Sequence, residues 1–271
     1  MISSVATCSH AELLQFPATD VTDYKRKTSG RNHYAVSEGV GSVQAILVRG
    51  VRTKFSAHVT SIEPEENGQV KVRWRHSRDS HELAPSEDVF DRVVMAVPPN
   101  VVGKIFKPLE DVMARIPTVI VETVVHTDES TIHEALGSLG AHTGRMQSLI
   151  LHTSGLNTEA INVHTSGLLI TTNPFTPINP ERVIHASSFT RVLRTTESQD
   201  IVRNIIGDSK ERDNADGGTE KMSQWRNGEG GVYLCGGWVW DGLVLLEGCA
   251  VSAVRVASAM GVEPPWSHVK N

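Results

Sequence analysis

Cysteine is scarce in this chain. Cys8, Cys235 and Cys249 are the only three, too few and too widely spaced for a disulfide framework. Cys235 and Cys249 stand among apolar neighbours, where a free thiol behaves as a small buried hydrophobe. That usage points to a reducing compartment and a cytoplasmic location. Aromatic residues make up only 5%, and five of the fourteen are Trp. No long hydrophobic run is present. The most apolar segment, Val232 to Val251, is broken by Asp241 and Glu247 and studded with glycine, which excludes a membrane span. Met1-Ile2-Ser3-Ser4-Val5 lacks the basic and apolar stretches of a signal peptide. Positive charge is not in excess either: 26 Lys plus Arg face 31 Asp plus Glu, a net of −5. Broad attraction to nucleic acid or anionic membrane is therefore excluded, and Lys25-Arg26-Lys27 reads as a solvated turn.

Several chemical signatures are missing as well. There is no Walker loop. Gly39-Val40-Gly41 lacks the third glycine of a dinucleotide fingerprint, and no apolar strand leads into it. His133-Glu134 has no second His four residues on, and no Cys pair has zinc spacing, so no metal is expected. No nucleophile elbow occurs.

What is present is ordinary globular composition: 271 residues, 39% hydrophobic and 21% charged, with 22 Gly and 12 Pro. A chain of this size can bury roughly 75% of its unfolded surface. The first fifty residues read as helix and loop, with Ser9 and Glu12 at capping-box spacing and Pro17 as a stop. Alternation from Arg52, the Asn67-Gly68 turn and further alternation through Val70, Val72 and Trp74 predict a two-stranded ribbon over 52–76. A polar loop is expected over 77–88. Phe90 to Val97 reads as a buried strand that Pro98-Pro99 ends. Further strands are expected at 118–126, 147–153 and 160–172, a helix at 197–206 and a charged loop at 207–220. His152-Thr153-Ser154-Gly155-Leu156 recurs as His164-Thr165-Ser166-Gly167-Leu168, which two facing strands would explain.

The C-terminal third carries the clearest pattern. Gly231 to Cys235 reads as a buried strand, Gly236-Gly237 ends it, and a loop runs through Trp238, Trp240 and Gly242. Residues 245–260 then form a helix, its apolar positions including Leu246, Cys249, Ala250, Ala253, Val256, Ala257 and Met260, with Gly261 as the stop. Glycines at a strand end let a backbone approach a ligand, and a following helix presents unpaired N–H groups to negative charge.

These residues resemble the FAD-dependent amine oxidase family. Val232-Tyr233-Leu234-Cys235-Gly236-Gly237-Trp238, followed by Leu246-Glu247-Gly248-Cys249-Ala250-Val251-Ser252, looks like its C-terminal flavin motif. Ser56 to Glu63 and Asp91-Arg92-Val93-Val94-Met95-Ala96-Val97-Pro98-Pro99 are similar to its second FAD-contacting strand and its Asp-x-Val-Val-x-Ala-x-Pro segment. Gly39 to Gln44 resembles the glycine-rich lead into that region. Trp-x-Trp-Asp-Gly before the last helix is most similar to flavin oxidoreductases of fungal secondary metabolism. The resemblance implies FAD as cofactor. Val59 would set its backbone against the adenine, and Gly236 and Gly237 would approach the diphosphate and ribityl chain. Leu246, Glu247 and Gly248 would present the helix start to the flavin N1–O2 edge. Trp225, Trp238 and Trp240 would form an aromatic wall for the substrate. The sequence departs from the family in carrying Leu245 where a cage aromatic is expected, and no lysine matches the flavin-N5 position. The family's N-terminal βαβ unit is not found.

The fold class expected is thus α/β to α+β: a mixed β-sheet substrate domain plus the remaining strand and helix of a truncated Rossmann-like domain. It divides into a helix-and-loop segment 1–50, a partial FAD-domain ribbon and strand 51–110, a β-rich substrate domain 111–222, and a C-terminal strand–Gly-Gly–helix unit 223–271. Three functions fit. The first is a flavin-dependent oxidoreductase acting on a hydrophobic small molecule. The second is a cofactor-independent isomerase or cyclase using the vacated cleft, with Asp241 or Glu122 as acid–base groups. The third is a non-catalytic subunit that completes its fold by oligomerising, since open strand edges favour a homodimer.

Overall fold

The computed structural model describes residues 6–31, 36, 39–77, 84–136, 148–207 and 225–264. Ser9 caps a short helix, α1 (His10–Leu13): its backbone N–H donates to Glu12 Oε2 at 2.7 Å, and the Glu12 N–H donates back to Ser9 Oγ at 3.2 Å. Pro17 precedes α2 (Ala18–Thr28), whose last turn holds Lys25, Arg26 and Lys27. The basic run is thus a helix end rather than a turn, with its charge at the negative pole of the macrodipole. Next comes α3 (Val40–Leu47), in which no residue is buried.

The expected ribbon forms. Strand β1 (Ala57–Pro64) pairs antiparallel with β2 (Val70–His76). Gly68 takes a φ of 84°, and the Gln69 N–H donates to Asn67 Oδ1 at 2.9 Å to close the turn. A third strand, β3 (Ser86–Phe90), pairs with β2. The polar loop expected over 77–88 therefore ends earlier than its composition implied, and its residues 78–83 lie outside the described residues. Cross-strand ion pairs supply a reason: Arg73 reaches Glu63 at 2.5 Å and Glu87 at 2.7 Å, so charged residues serve here as strand partners.

Strand β4 (Val93–Met95) is shorter than the 90–97 run. Pro98 and Pro99 then open α4 (Pro99–Ile105), since a proline at the first helical position loses no hydrogen bond. A 3-10 turn (Lys107–Leu109) and α5 (Glu110–Ala114) follow. These helices pack with α7 (Thr196–Ile206) around the largest core, which contains Val102, Phe106, Met113, Val202 and Ile205.

Five strands form the second sheet: β5 (Thr118–His126), β6 (Ser148–Ser154), β7 (Asn157–Val163), β8 (Leu169–Thr172) and β9 (Val183–Val192). Their order is β6-β7-β8-β5-β9, and every neighbouring pair is antiparallel. The mixed sheet expected here is corrected to an antiparallel one, because tight turns join the β6-β7-β8 run. Those turns also explain the sequence echo. Its two copies end successive strands at Gly155 (φ 60°) and Gly167 (φ 84°). They are two turns rather than facing strands, and the second divides the single strand expected over 160–172. The helix α6 (Ser130–Leu136) lays Ile132 on Ile150, Ile161 and Leu169. Ala6, Cys8, Leu13 and Phe16 meet Val119 and Leu193.

Strand β10 (Val232–Leu234) pairs parallel with β4 and joins segments separated by about half of the chain. The final helix, α8 (Leu246–Ala259), ends before Gly261 (φ 76°). Its buried residues are Gly248, Ser252 and Val256, whereas Leu246, Cys249, Ala250 and Ala253 are exposed. Of the apolar stripe read from the sequence, only Val256 is on the packed face. The packed row runs at four-residue spacing through small side chains, which lets the helix lie close to the strand end. The cysteines follow suit: Cys8 is buried, and burial first, then Glu12, pushes its thiol up to about 11, while Cys235 is half-buried and Cys249 exposed. Among the described residues no helix is long and apolar enough to cross a membrane.

Candidate functional site

The strand–Gly-Gly–loop–helix unit is closed by short contacts. Cys235 N–H donates to Met95 O at 3.0 Å and extends the β4–β10 pairing. Gly236, at φ 134°, donates its N–H to Ser252 Oγ at 2.9 Å and so ties the strand end to α8. A Cβ on Gly237 would stand 3.0 Å from Leu245 O, and one on Gly248 would stand 2.6 Å from Gly237 O. Gly237 and Gly248 are thus accounted for by the contact of the loop with the first turn of the helix. Leu245 supplies no side-chain cap to α8. Leu246 and Glu247 are exposed, and their backbone N–H groups have no partner among the described residues. This uncapped first turn of a fourteen-residue helix carries the positive end of its dipole.

The loop ahead of α8 is gripped from below by Arg194, which sequence reasoning missed. Its side chain is fully buried, and it donates to three carbonyls: Gly242 O at 3.1 Å, Trp238 O at 3.0 Å and Trp240 O at 2.7 Å. Burial holds its guanidinium down to about 10, against the opposing pull of Asp20 and Asp241. Gln199 completes the arrangement by donating to Asp20 Oδ1 at 2.9 Å and to Asp241 O at 3.0 Å. These partners lie on α2, α7 and the stretch after β9, and no spacing motif links them.

The three tryptophans take different places. Trp225 is buried edge-on against Phe106 at 5.5 Å, and Trp238 is buried with Nε1–H donating to Val97 O at 3.0 Å. Trp240 is half-buried over Gly242 and Gly248 and donates to Leu243 O at 2.7 Å. Asp241 is half-buried and accepts from Arg255 at 3.3 Å. Val59 lies on β1 at a bulge, 39% exposed. Glu122 lies elsewhere, on β5 in the five-stranded sheet, so the two candidate acid–base residues occupy different places.

That sheet holds a second polar centre. Glu159, fully buried, accepts from Phe175 N at 2.9 Å, Thr176 N at 3.1 Å, Thr176 Oγ1 and His152 Nδ1 at 2.8 Å. Burial pushes its carboxyl up, but these hydrogen bonds outweigh it and leave the group below the ordinary value. The network pins the turn after β8 onto β7. Within the sequence, only the register pairing His152 with Glu159 would have revealed it. Among the described residues no group of three or more His, Cys, Asp or Glu could hold a metal ion.

The class these features define is an α/β protein with a parallel strand pair feeding a glycine-lined helix start, beside an antiparallel sheet. Residues 14–146 match the model of the flavin containing amine oxidoreductase family, a stretch that includes Val59, the Asp91–Pro99 segment and Glu122. The strand–Gly-Gly–helix unit lies outside the matched stretch. No curated protein matches the chain.

Proposed function

We propose that the chain is a flavin-dependent oxidoreductase of the amine oxidoreductase type. Its substrate is a hydrophobic small molecule, in the manner of the fungal secondary-metabolism enzymes it resembles. The observation that carries this reading is the uncapped first turn of α8, held beside the end of a parallel strand by Gly237 and Gly248. The family match upstream supports it.

The residues present fit one edge of FAD. Leu246, Glu247 and Gly248 would hold its N1–O2 edge, Gly236 and Gly237 its diphosphate and ribityl chain, and Val59 its adenine. When bound, the flavin supplies the hydride acceptor. The helix dipole stabilises negative charge at its first turn, and because Arg194 fixes the preceding loop, that stabilisation is preorganised. Trp238 and Trp240 stiffen the loop while Trp225 packs in the core beside Phe106, and Trp240 is the one among the three that keeps partial exposure for a substrate. Asp241 is the acid–base candidate on this loop, with Glu122 the candidate in the other sheet.

A titration of the purified chain with FAD tests the reading. Flavin fluorescence quenching and an induced visible circular dichroism signal are expected to saturate at one flavin per chain. A Gly248→Val variant that remains folded should lose both signals. Unchanged flavin fluorescence in the presence of excess protein would sink the reading, and turnover of a substrate by the colourless protein would sink the redox chemistry in favour of a cofactor-independent one. We further propose that the chain works as a homodimer, on the strength of the exposed apolar residues of α3.

A further inference from the structure

The five-stranded sheet leaves one of its strands half paired. Leu193 N–H donates to Pro117 O at 2.9 Å where β5 meets β9, which fixes the alternation along that ladder. The backbone groups of Ile120 and Glu122 therefore point to the opposite edge. On that edge β8 pairs with residues Thr123 to His126, and Asn173 N–H donates to Glu122 O at 2.9 Å. There the pairing stops. Asn173 adopts a left-handed φ of 53°, and Phe175, which would face Ile120 in this register, donates its N–H instead to Glu159 Oε2 at 2.9 Å. Among the described residues, the N–H and C=O of Ile120 have no partner, and they face a cleft of about 470 Å³.

The cleft has further unsatisfied chemistry. Thr7, which also lines it, is a second non-glycine residue in left-handed conformation, at φ 46°. Its neighbours hold it there: Ala6 and Cys8 pack into the sheet, and Arg191 Nε–H donates to Ala6 O at 2.8 Å. The Thr7 hydroxyl is buried with no hydrogen-bond partner among the described residues. Strain in a β-branched residue and an orphaned hydroxyl on one wall mark a place that the fold maintains at a cost. Two carboxylates, Glu12 and Glu122, line the cleft, and among the described residues no Lys, Arg or His lines it. Ile120 is 71% exposed beside them.

We propose that this cleft binds an extended, positively charged peptide, which pairs as an added strand along Val119–Glu122. The open edge supplies main-chain donors and acceptors irrespective of sequence, and alternate side chains of the peptide meet Ile120 and the carboxylates. Glu12 and Glu122 reject anionic segments by like-charge repulsion and select Lys or Arg. The inference does not depend on flavin binding.

The full chain is tested with a fluorescein-labelled Lys-Val-Lys-Val-Lys peptide, acetylated and amidated at its ends, by fluorescence polarisation and by amide hydrogen exchange. Binding is expected to slow exchange at Ile120. Methylating the peptide's backbone nitrogens at alternate residues should weaken binding about tenfold, the loss of its main-chain hydrogen bonds. A Glu-Val-Glu-Val-Glu peptide should not bind. Glu122→Lys should weaken the cationic peptide by a similar factor without altering the thermal melt, and Glu122→Gln serves if that variant does not fold. The proposal is overturned by equal binding of the methylated peptide, by protection confined to residues outside 118–122, by indifference to Glu122 substitution, or by absence of binding.

Discussion

Asp20 is an acid buried at the meeting point of α2, α7 and the loop that leads to α8. One of its oxygens accepts from Gln199, and the other, Oδ2, is buried without a partner among the described residues. Burial raises its carboxyl above the ordinary value of 3.8, and the attraction of Arg194 offsets this only in part. A group whose value is raised on folding favours the protonated folded state. Its contribution is fully present below the ordinary value and is lost as the pH rises through the raised one. Asp20→Asn keeps an acceptor for Gln199 and removes the titration, and burying an amide is cheaper than burying a carboxylate. The variant should be at least as stable as the parent at pH 7, and its advantage should shrink as the pH falls towards 4. Paired urea unfolding across that range measures the difference. A variant weaker at neutral pH by more than about 1 kcal/mol would mean that the attraction to Arg194 outweighs desolvation.

At the scale of elements, the contact between the Gly236–Gly237 strand end and α8 is set by backbone, so it tolerates no side chain. A Cβ on Gly248 would sit 2.6 Å from Gly237 O, a fixed main-chain atom. Gly248→Ala should therefore lower unfolding free energy by about 2–3 kcal/mol, the range for overpacking a tight site. Gly41, in the exposed α3, has nothing within 4 Å of such an atom. Gly41→Ala should stabilise by about 0.5–1 kcal/mol through helix propensity. Urea midpoints of the two variants decide the matter, and similar shifts in both would show that the loop yields. Elements of this kind were legible in the sequence where their cause is local. Asn67-Gly68, Ser9 with Glu12, and Pro98-Pro99 each act within a few residues. The pairing of β4 with β10 and the grip of Arg194 on carbonyls 44 to 48 residues away have no local cause. The echoed His-Thr-Ser-Gly-Leu segments were visible but misread, because a turn and a strand end share the same residues. The site was legible as glycines and a helix start, whereas the buried polar partners that fix it were not.

Among the described residues, α3 is a helix whose apolar side chains lie uncovered. Val40, Ile46 and Leu47 of α3 are 63%, 63% and 73% exposed, with Val43 at 39%. The β4–β10 pair is a two-stranded parallel sheet, a form otherwise found buried on both faces, yet Val94 is 44% exposed. An apolar helix that buries nothing gains little from folding, since most helical stability comes from packing an apolar face. Burying four such side chains is worth about 1.5–3 kcal/mol each. A two-fold interface brings the same four from each protomer, a gain of the same order as an association cost of about 4–15 kcal/mol. Light scattering on the full chain should therefore give twice the monomer mass at micromolar concentration. Val43→Glu with Ile46→Glu, placed where each charge would be desolvated at the interface, should shift the equilibrium to monomer. Both sites are already solvent-exposed in the protomer, so the unfolding free energy per chain at high dilution should stay within about 0.5 kcal/mol of the parent. A monomer that persists in the parent at high concentration, or a dimer indifferent to both charges, would remove α3 as the interface.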